Sequence, residues 1–198
     1  MKIGQKKDQL LVVDILTDSF FENPSANWVV KSDSKIRNRI RELCKYAFKT
    51  SLMRRGVFIS SDRKGAALCY KYNFKKNNLL DYWNQLVLAI KAIGLSRLPS
   101  ILKREAFLNS KRPKSGEYLY MWFLGVSPGF HDGHAASELK DTVLELSDKQ
   151  GLPIYLETSI EKNRRVYERF GFEIFDTWHE EDQGVLVYFM RRMPTIQL

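Results

Sequence analysis

Asn163 and Tyr167 lie four residues apart in a segment that closes Glu168-Arg169-Phe170-Gly171-Phe172. On a helix that spacing puts both side chains on one face. A carboxamide beside a phenol can hold a ligand and give it a proton. Upstream, the apolar run from Tyr118 ends in Leu124-Gly125-Val126-Ser127-Pro128 and passes through Gly129-Phe130-His131-Asp132-Gly133-His134 into Ala135-Ala136. A strand that breaks at a proline and feeds a helix N-terminus offers unpaired amides to an anion. His131, Asp132 and His134 also invite a metal. His179 is the only other histidine, and zinc sites take three or four protein ligands, so no metal is expected. Protonated, the two loop imidazoles would instead face phosphates.

These residues need elements to hold them. Apolar spacing predicts a helix over 6–21, with Leu10, Leu11, Val13, Ile15, Phe20 and Phe21 on its core face, broken by Asn23-Pro24-Ser25. A second helix, 34–53, carries Ile36, Ile40, Leu43, Ala47 and Phe48 opposite Arg and Lys, and Gly56 ends it. Runs 57–60 and 66–72 flank a polar turn with Gly65 and read as a hairpin. Residues 79–94 are strongly helical through Leu80, Trp83, Leu86, Val87 and Ile90, and 101–108 form a further short helix. Then come strand 117–126, helix 135–150 on Ala136, Leu139, Val143 and Leu146, strand 153–157, helix 161–170, and strands 171–178 and 185–192. The strand–helix–strand unit 117–157 implies a parallel pair, and the last two strands an antiparallel one. The class is α+β: a mixed, mostly antiparallel sheet with helices on both faces.

The 198 residues, 44% hydrophobic, suit one domain, 1–198, with a substantial core. A net charge of +9 and a pI near 9.5 suit a polyanionic ligand. The basic residues are nevertheless spread along the chain, from Arg37, Arg39 and Arg41 to Lys111-Arg112-Lys114 and Arg164-Arg165. Solvated faces account for them better than a nucleic-acid surface does. Cys44 and Cys69 sit in apolar patterns and read as buried reduced thiols. No run approaches the roughly 20 apolar residues of a membrane span, so no membrane partner is expected. The N-terminal residues lack the apolar region of a secretory signal. Together these point to a soluble cytoplasmic protein.

The order of pieces from Tyr118 to Phe172 resembles the acyl-CoA-binding half of the GCN5-related N-acetyltransferase (GNAT) family. Val126-Ser127-Pro128 stands where the family has Val-x-Pro. His131-Asp132-Gly133-His134-Ala135-Ala136 stands where it has Arg/Gln-x-x-Gly-x-Gly/Ala. Leu156-Glu157-Thr158, then Asn163-x-x-x-Tyr167-Glu168-x-Phe170-Gly171-Phe172, resemble its next strand and Asn-bearing helix. Ala136 matches the final small residue, while His131 replaces Arg/Gln and His134 replaces the middle glycine.

The resemblance implies an acyl-CoA N-acyltransferase-like architecture with a helical insertion around 79–109. It implies an enzyme that moves acetyl from acetyl-CoA, as co-substrate, directly to a primary amine of a small molecule or protein. Backbone amides near Leu124 and Val126 would bind the acetyl and pantetheine arm. His131, Asp132, Gly133, His134, Ala135 and Ala136 would meet the pyrophosphate, and Asn163 would hold the pantetheine or Tyr167. Tyr167 would be the acid for the departing thiolate. The glycine lost at His134 motivates an alternative, a non-catalytic CoA-binding or interaction module on the same fold. Glu117, Tyr120 and Glu157 fall near the expected cleft and read as structural rather than basic. Trp122 and the 79–109 helices are candidates for the acceptor pocket, and a late strand can pair across a homodimer.

Overall fold

Successive β-prone runs pair into one seven-stranded sheet in the order β1-β2-β3-β4-β5-β7-β6. The strands are β1 (Lys2–Ile3), β2 (Val57–Ile59), β3 (Gly65–Tyr72), β4 (Tyr118–Val126), β5 (Ile154–Thr158), β6 (Glu173–Glu180) and β7 (Val185–Arg192). The helices are α1 (Gln9–Phe20), α2 (Pro24–Val29), α3 (Ile36–Met53), α4 (Leu79–Leu88), α5 (Leu98–Lys111), α6 (His134–Gln150) and α7 (Glu161–Arg169). The computed structural model describes residues 1–72, 79–129, 133–180 and 184–195. Every pairing is antiparallel except β4 with β5, which is parallel as the strand–helix–strand unit requires.

Helices cover both faces. Leu139 and Val143 of α6 pack on Leu119, Ile154, Leu156 and Met190, and Tyr167 and Phe170 join them from the side of α7. On the opposite face α1 and α3 bury Val12, Leu16, Ile40 and Phe48 against Ile59, Leu68 and Phe123. Further along that face Trp28 of α2 and Ile101 and Leu108 of α5 meet Val187 and Phe189. Each large apolar side chain removed from water contributes about 1.5–3 kcal/mol before the entropy of ordering is charged against it. Cys44 and Cys69 are buried free thiols.

Two elements escape the sequence expectation. Asn23-Pro24 reads as a break, yet it starts α2. The Asn23 carboxamide oxygen accepts a hydrogen bond from the Ala26 amide at 3.0 Å, and Pro24 takes the first turn, where its missing N–H costs nothing. The second is α4. Its periodic side chains Trp83, Leu86 and Ile90 point outward, and the segment docks instead through Leu88, Ala89, Ala92 and Ile93. Small alanines allow the closer approach, so they take the inward stripe. Among the described residues no single helix is long and apolar enough to cross a membrane.

Candidate active site

β4 and β5 start as partners and then separate. Their ladder comprises Leu119↔Ile154 and Tyr120↔Tyr155. Beyond it β4 stays paired with β3 as far as Val126↔Gly65, while β5 stays paired with β7 as far as Thr158↔Tyr188. From Met121 to Val126 the edge of β4 that faces β5 therefore has no strand partner. Backbone N–H and C=O groups without partners are the strongest recognition groups a strand can present. Leu124 and Val126 lie on this open stretch, both half-buried.

A bulge re-aims the strand where it opens. Leu68 pairs with Phe123 and Cys69 with Met121, so Trp122 is the extra residue. Before it, Leu119 and Met121 face α6, while Tyr118 and Tyr120 face the other side. Trp122 and Phe123 then both turn toward α1 and α3, and Leu124 returns to the α6 side. On the far side Gly125 makes room for α1: a Cβ there would come within 2.7 Å of the Ser19 side chain.

Past Val126 the chain runs through Pro128, and the described residues resume at Gly133, whose φ of +76° suits a residue without Cβ. A Cβ at Gly133 would meet nothing within 4 Å, so the need is conformational, not spatial. α6 begins at His134 with no capping side chain, which leaves its first-turn amides without intrahelical partners. The positive end of the helix dipole adds to them. His134 is exposed and does not fill the opening between the strands. Its positive charge, when present, helps hold the Asp62 carboxyl below its usual range, behind the larger effects of the Ser60 hydroxyl and the Lys64 amide. Ala135 is buried, and Ala136 is partly so. A Cβ on Gly65 would sit 3.1 Å from that of Ala135 and 2.8 Å from Leu139 Cδ1, so α6 rests its first turn directly on β3. Any ligand contact at Ala135 is then made by its amide. His131 and Asp132 lie outside the described residues.

α7 brings the remaining pair. Its end is a Schellman motif: the Phe172 amide donates to Tyr167 O at 3.1 Å and the Gly171 amide to Glu168 O at 3.0 Å, with Gly171 at φ +81°. The hydrophobic contact that accompanies such a turn is here Phe172 against Tyr167, ring centroids 5.5 Å apart. The Tyr-x-x-x-Gly-Phe pattern is therefore a helix cap that fixes the tyrosine ring. Tyr167 is half-buried and borders the same apolar cluster as Leu124. Its hydroxyl has no hydrogen-bond partner among the described residues, and desolvation pushes it up to about 12. Asn163 is partly buried one turn earlier. At the start of α7 the Tyr188 hydroxyl donates to Glu161 at 2.8 Å, tying the helix to β7. Between β5 and α7 the Ser159 hydroxyl is buried with no partner, an orphaned group the sequence does not flag.

On the opposite side of the strand pair three polar side chains satisfy one another. The Tyr120 hydroxyl donates to Glu157 Oε2 at 2.6 Å and accepts from Arg112 Nη2 at 2.8 Å. Arg112 Nε donates to Glu157 Oε1 at 2.9 Å, and the guanidinium lies 4.4 Å from the centre of the Tyr120 ring. Burial drives the Tyr120 phenol well above its ordinary value. Burial works against the charge on Arg112, but Tyr120 and Glu157 outweigh it and hold the guanidinium protonated. Both oxygens of Glu157 are thus engaged, and Glu117 pairs with Lys71 at 2.8 Å. Arg112 was counted among solvated cations; no local pattern announces that the turn after α5 folds it under the sheet.

One hollow, about 520 Å³, lies by Pro128 between Asp18, Ser19, Phe21 and Glu22 at the end of α1 and Arg37 of α3. Another, about 420 Å³, lies on the outer side of α7 at Lys162, Arg165, Val166 and Arg169. Neither is lined by Asn163 or Tyr167.

Residues 94–172 match the model of the acetyltransferase (GNAT) family. The chain is 26% identical over 185 residues to an uncharacterised N-acetyltransferase of Schizosaccharomyces pombe, covering 85% of this chain and 72% of that one. Its fold is similar to arylalkylamine N-acetyltransferase 2 from Aedes aegypti, with TM-score 0.67, 15% identity and 98% of each chain covered. It is also similar to a structure from Corynebacterium glutamicum described as histone acetyltransferase HPA2 and related acetyltransferase, with TM-score 0.66, 16% identity, and 99% and 96% covered. The family match runs across the opened strand, the α6 start and the capped α7, so this part of the chain is similar to the GNAT acetyltransferases, and with the relatives it supports an N-acetyltransferase enzyme.

Proposed function

We propose that the protein transfers an acetyl group from acetyl-CoA directly to a primary amine of a small molecule or a protein. The observation that carries this is the strand pair that opens after Tyr120, with a bare β4 edge on one side, the uncapped start of α6 at its end and Tyr167 beside it. The arm of the thioester would hydrogen-bond the β4 edge near Leu124 and Val126, where amides fixed in advance also stabilise the developing oxyanion. The diphosphate would meet the first-turn amides of Gly133, His134, Ala135 and Ala136. Asn163 and the orphaned Ser159 hydroxyl suit the amides of the pantetheine arm.

The amine nitrogen attacks the thioester carbonyl carbon, the C–N bond forms, and the C–S bond breaks. The amine releases its proton to water, the departing sulfur takes one from the Tyr167 hydroxyl, and the phenolate recovers a proton from water. A phenol held at about 12 stays protonated at neutral pH and gives up its proton only as charge builds on sulfur. Direct transfer also fits the cysteines, because burial pushes both thiols up to about 12 and neither supplies a thiolate nucleophile. Two free buried thiols suit a reducing, cytoplasmic setting.

The test is thiol release from acetyl-CoA over an amine panel. Arylalkylamines and lysine-containing peptides head the panel, after the acceptors named for the similar structures. Turnover with one class and slow turnover by Tyr167→Phe support the proposal. Calorimetric binding of acetyl-CoA with no turnover on any amine would leave the non-catalytic CoA-binding module.

A further inference from the structure

The outward face of α4 is the largest feature that the acetyl-transfer site leaves unexplained. Leu79, Trp83 and Leu86 of α4, with Ile90 of the π-helical turn Ala89–Ile93 that continues it, line one face and are 87%, 62%, 48% and 57% exposed, with Tyr82 beside them at 60%. Contiguous apolar stripes of this kind on a soluble domain mark an interaction surface. The charges around it are one-sided. Nearby acids are already paired within the protein: Asp81 with Arg54, Asp33 with Arg39, Glu42 with Lys45 and Glu105 with Arg104. Lys91, next to Ile90, and Arg55, next to the Arg54 that pairs with Asp81, are exposed and have no ion-pair partner among the described residues. An apolar stripe holding Trp and Tyr, set in uncompensated positive charge, complements acyl chains beneath anionic headgroups. It complements a second copy poorly, because a two-fold contact would bring like charges together.

The segment lies on such a surface rather than crossing it. From Leu79 to Ile93 a helix reaches about 22 Å, short of the roughly 30 Å of a hydrocarbon core. The next helical stretch, Leu95–Lys111, bends away by 103°. We propose that the outward face of residues 79–91 docks the protein peripherally on anionic membrane surfaces, with Trp83, Leu86 and Ile90 at the acyl boundary and Arg55 and Lys91 at the headgroups. The sequence reading offered residues 79–109 for the acceptor pocket and gave no reason to expect a membrane contact.

The experiment is co-sedimentation of the full chain with vesicles of phosphatidylcholine alone or mixed with phosphatidylglycerol. Binding to the mixed vesicles should exceed binding to the neutral ones by about tenfold or more, with a blue shift of tryptophan emission that Trp83→Phe removes. Leu86→Glu with Ile90→Glu should abolish binding. These positions are exposed, and an unchanged thermal midpoint checks that the fold is retained. Lys91→Glu, which leaves the apolar stripe intact, should weaken binding about tenfold. Failure of the wild type to bind mixed vesicles, or equal binding by the Leu86→Glu, Ile90→Glu variant, overturns the proposal. So does a wild-type dimer in sedimentation velocity that this variant converts to monomer without any vesicle binding, which would assign the stripe to self-association.

Discussion

The two sides of the β4–β5 pair treat their polar groups in opposite ways. On one side Arg112, Tyr120 and Glu157 close a network in which each hydrogen-bonds the other two. On the other, among the described residues, the Ser159 hydroxyl is orphaned, the Tyr167 hydroxyl has no hydrogen-bond partner and the edge of β4 past Tyr120 has no strand partner. Both sides hold a tyrosine whose phenol burial pushes upward. A raised phenol therefore does not distinguish a reactive group from a structural one. Spare hydrogen-bonding capacity does, because a saturated group has nothing to offer a substrate until it gives something up. The Tyr118 hydroxyl, buried and unpartnered within the aromatic cluster, is the exception on the closed side.

The largest effect should come from opening the closed side. Arg112→Leu strands Glu157 and Tyr120, and breaking such a buried pair costs about 3–5 kcal/mol. Denaturant unfolding should show that loss. The double variant Arg112→Leu, Glu157→Leu should recover much of it and keep acetyl transfer. A stable but inactive double variant would break the contrast by placing chemistry on this side. Next comes the tyrosine pair itself. Tyr167→Phe should lower kcat about 100-fold, or about 2.7 kcal/mol, with acetyl-CoA affinity and stability nearly unchanged. Tyr120→Phe should do the reverse, losing about 1–3 kcal/mol of stability with turnover retained. If both variants lose turnover equally, spare capacity is not what separates the two sides.

A pH series sharpens the same contrast. Tyr167, Cys44 and Cys69 are each raised to about 12 by burial. A raised group stays protonated in the folded chain after the unfolded chain has begun to ionise. Its contribution to stability is therefore complete below the unfolded value, near 8.5 for a thiol and 10 for a phenol. It is lost as pH rises toward 12, by up to about 1.4 kcal/mol per group per pH unit. Unfolding free energy should fall from about pH 8.5, and native thiols should resist a disulfide reagent at neutral pH.

From β4 onward the sequence is nearly sufficient, because each element carries its own punctuation: Pro128 and Gly133 before α6, Gly151 after it, Gly171 at the end of α7. Asn163 and Tyr167 are legible for the same reason, since the Gly171-Phe172 cap that ends the helix also seats the tyrosine. Other features depend on partners far apart in the chain. Nothing local to Arg112 announces Glu157, and nothing in residues 79–90 says which of two apolar stripes will face α3. The bulge at Trp122 is equally silent, being a property of how β3 and β4 register. The loop before α6 is only partly legible: among its described residues His134 is an exposed first-turn residue of the helix.

The start of α6 allows the smallest but most discriminating test. Its first-turn amides have no capping side chain, so a carboxylate placed there should satisfy the helix while opposing a diphosphate. Ala136→Glu puts one at the third helical position. Helix-dipole and capping effects should raise stability by about 0.5 kcal/mol. The same charge should weaken acetyl-CoA about tenfold, since one repulsive contact in a partly desolvated site is worth a little over 1 kcal/mol. The opposite signs separate ligand repulsion from damage to the fold, which would lower both. Glutamine at Ala136 keeps the size and drops the charge, so it should restore affinity. Loss of affinity with glutamine as well would mean that bulk, not charge, matters there, and the diphosphate would have to sit elsewhere along the opened strand.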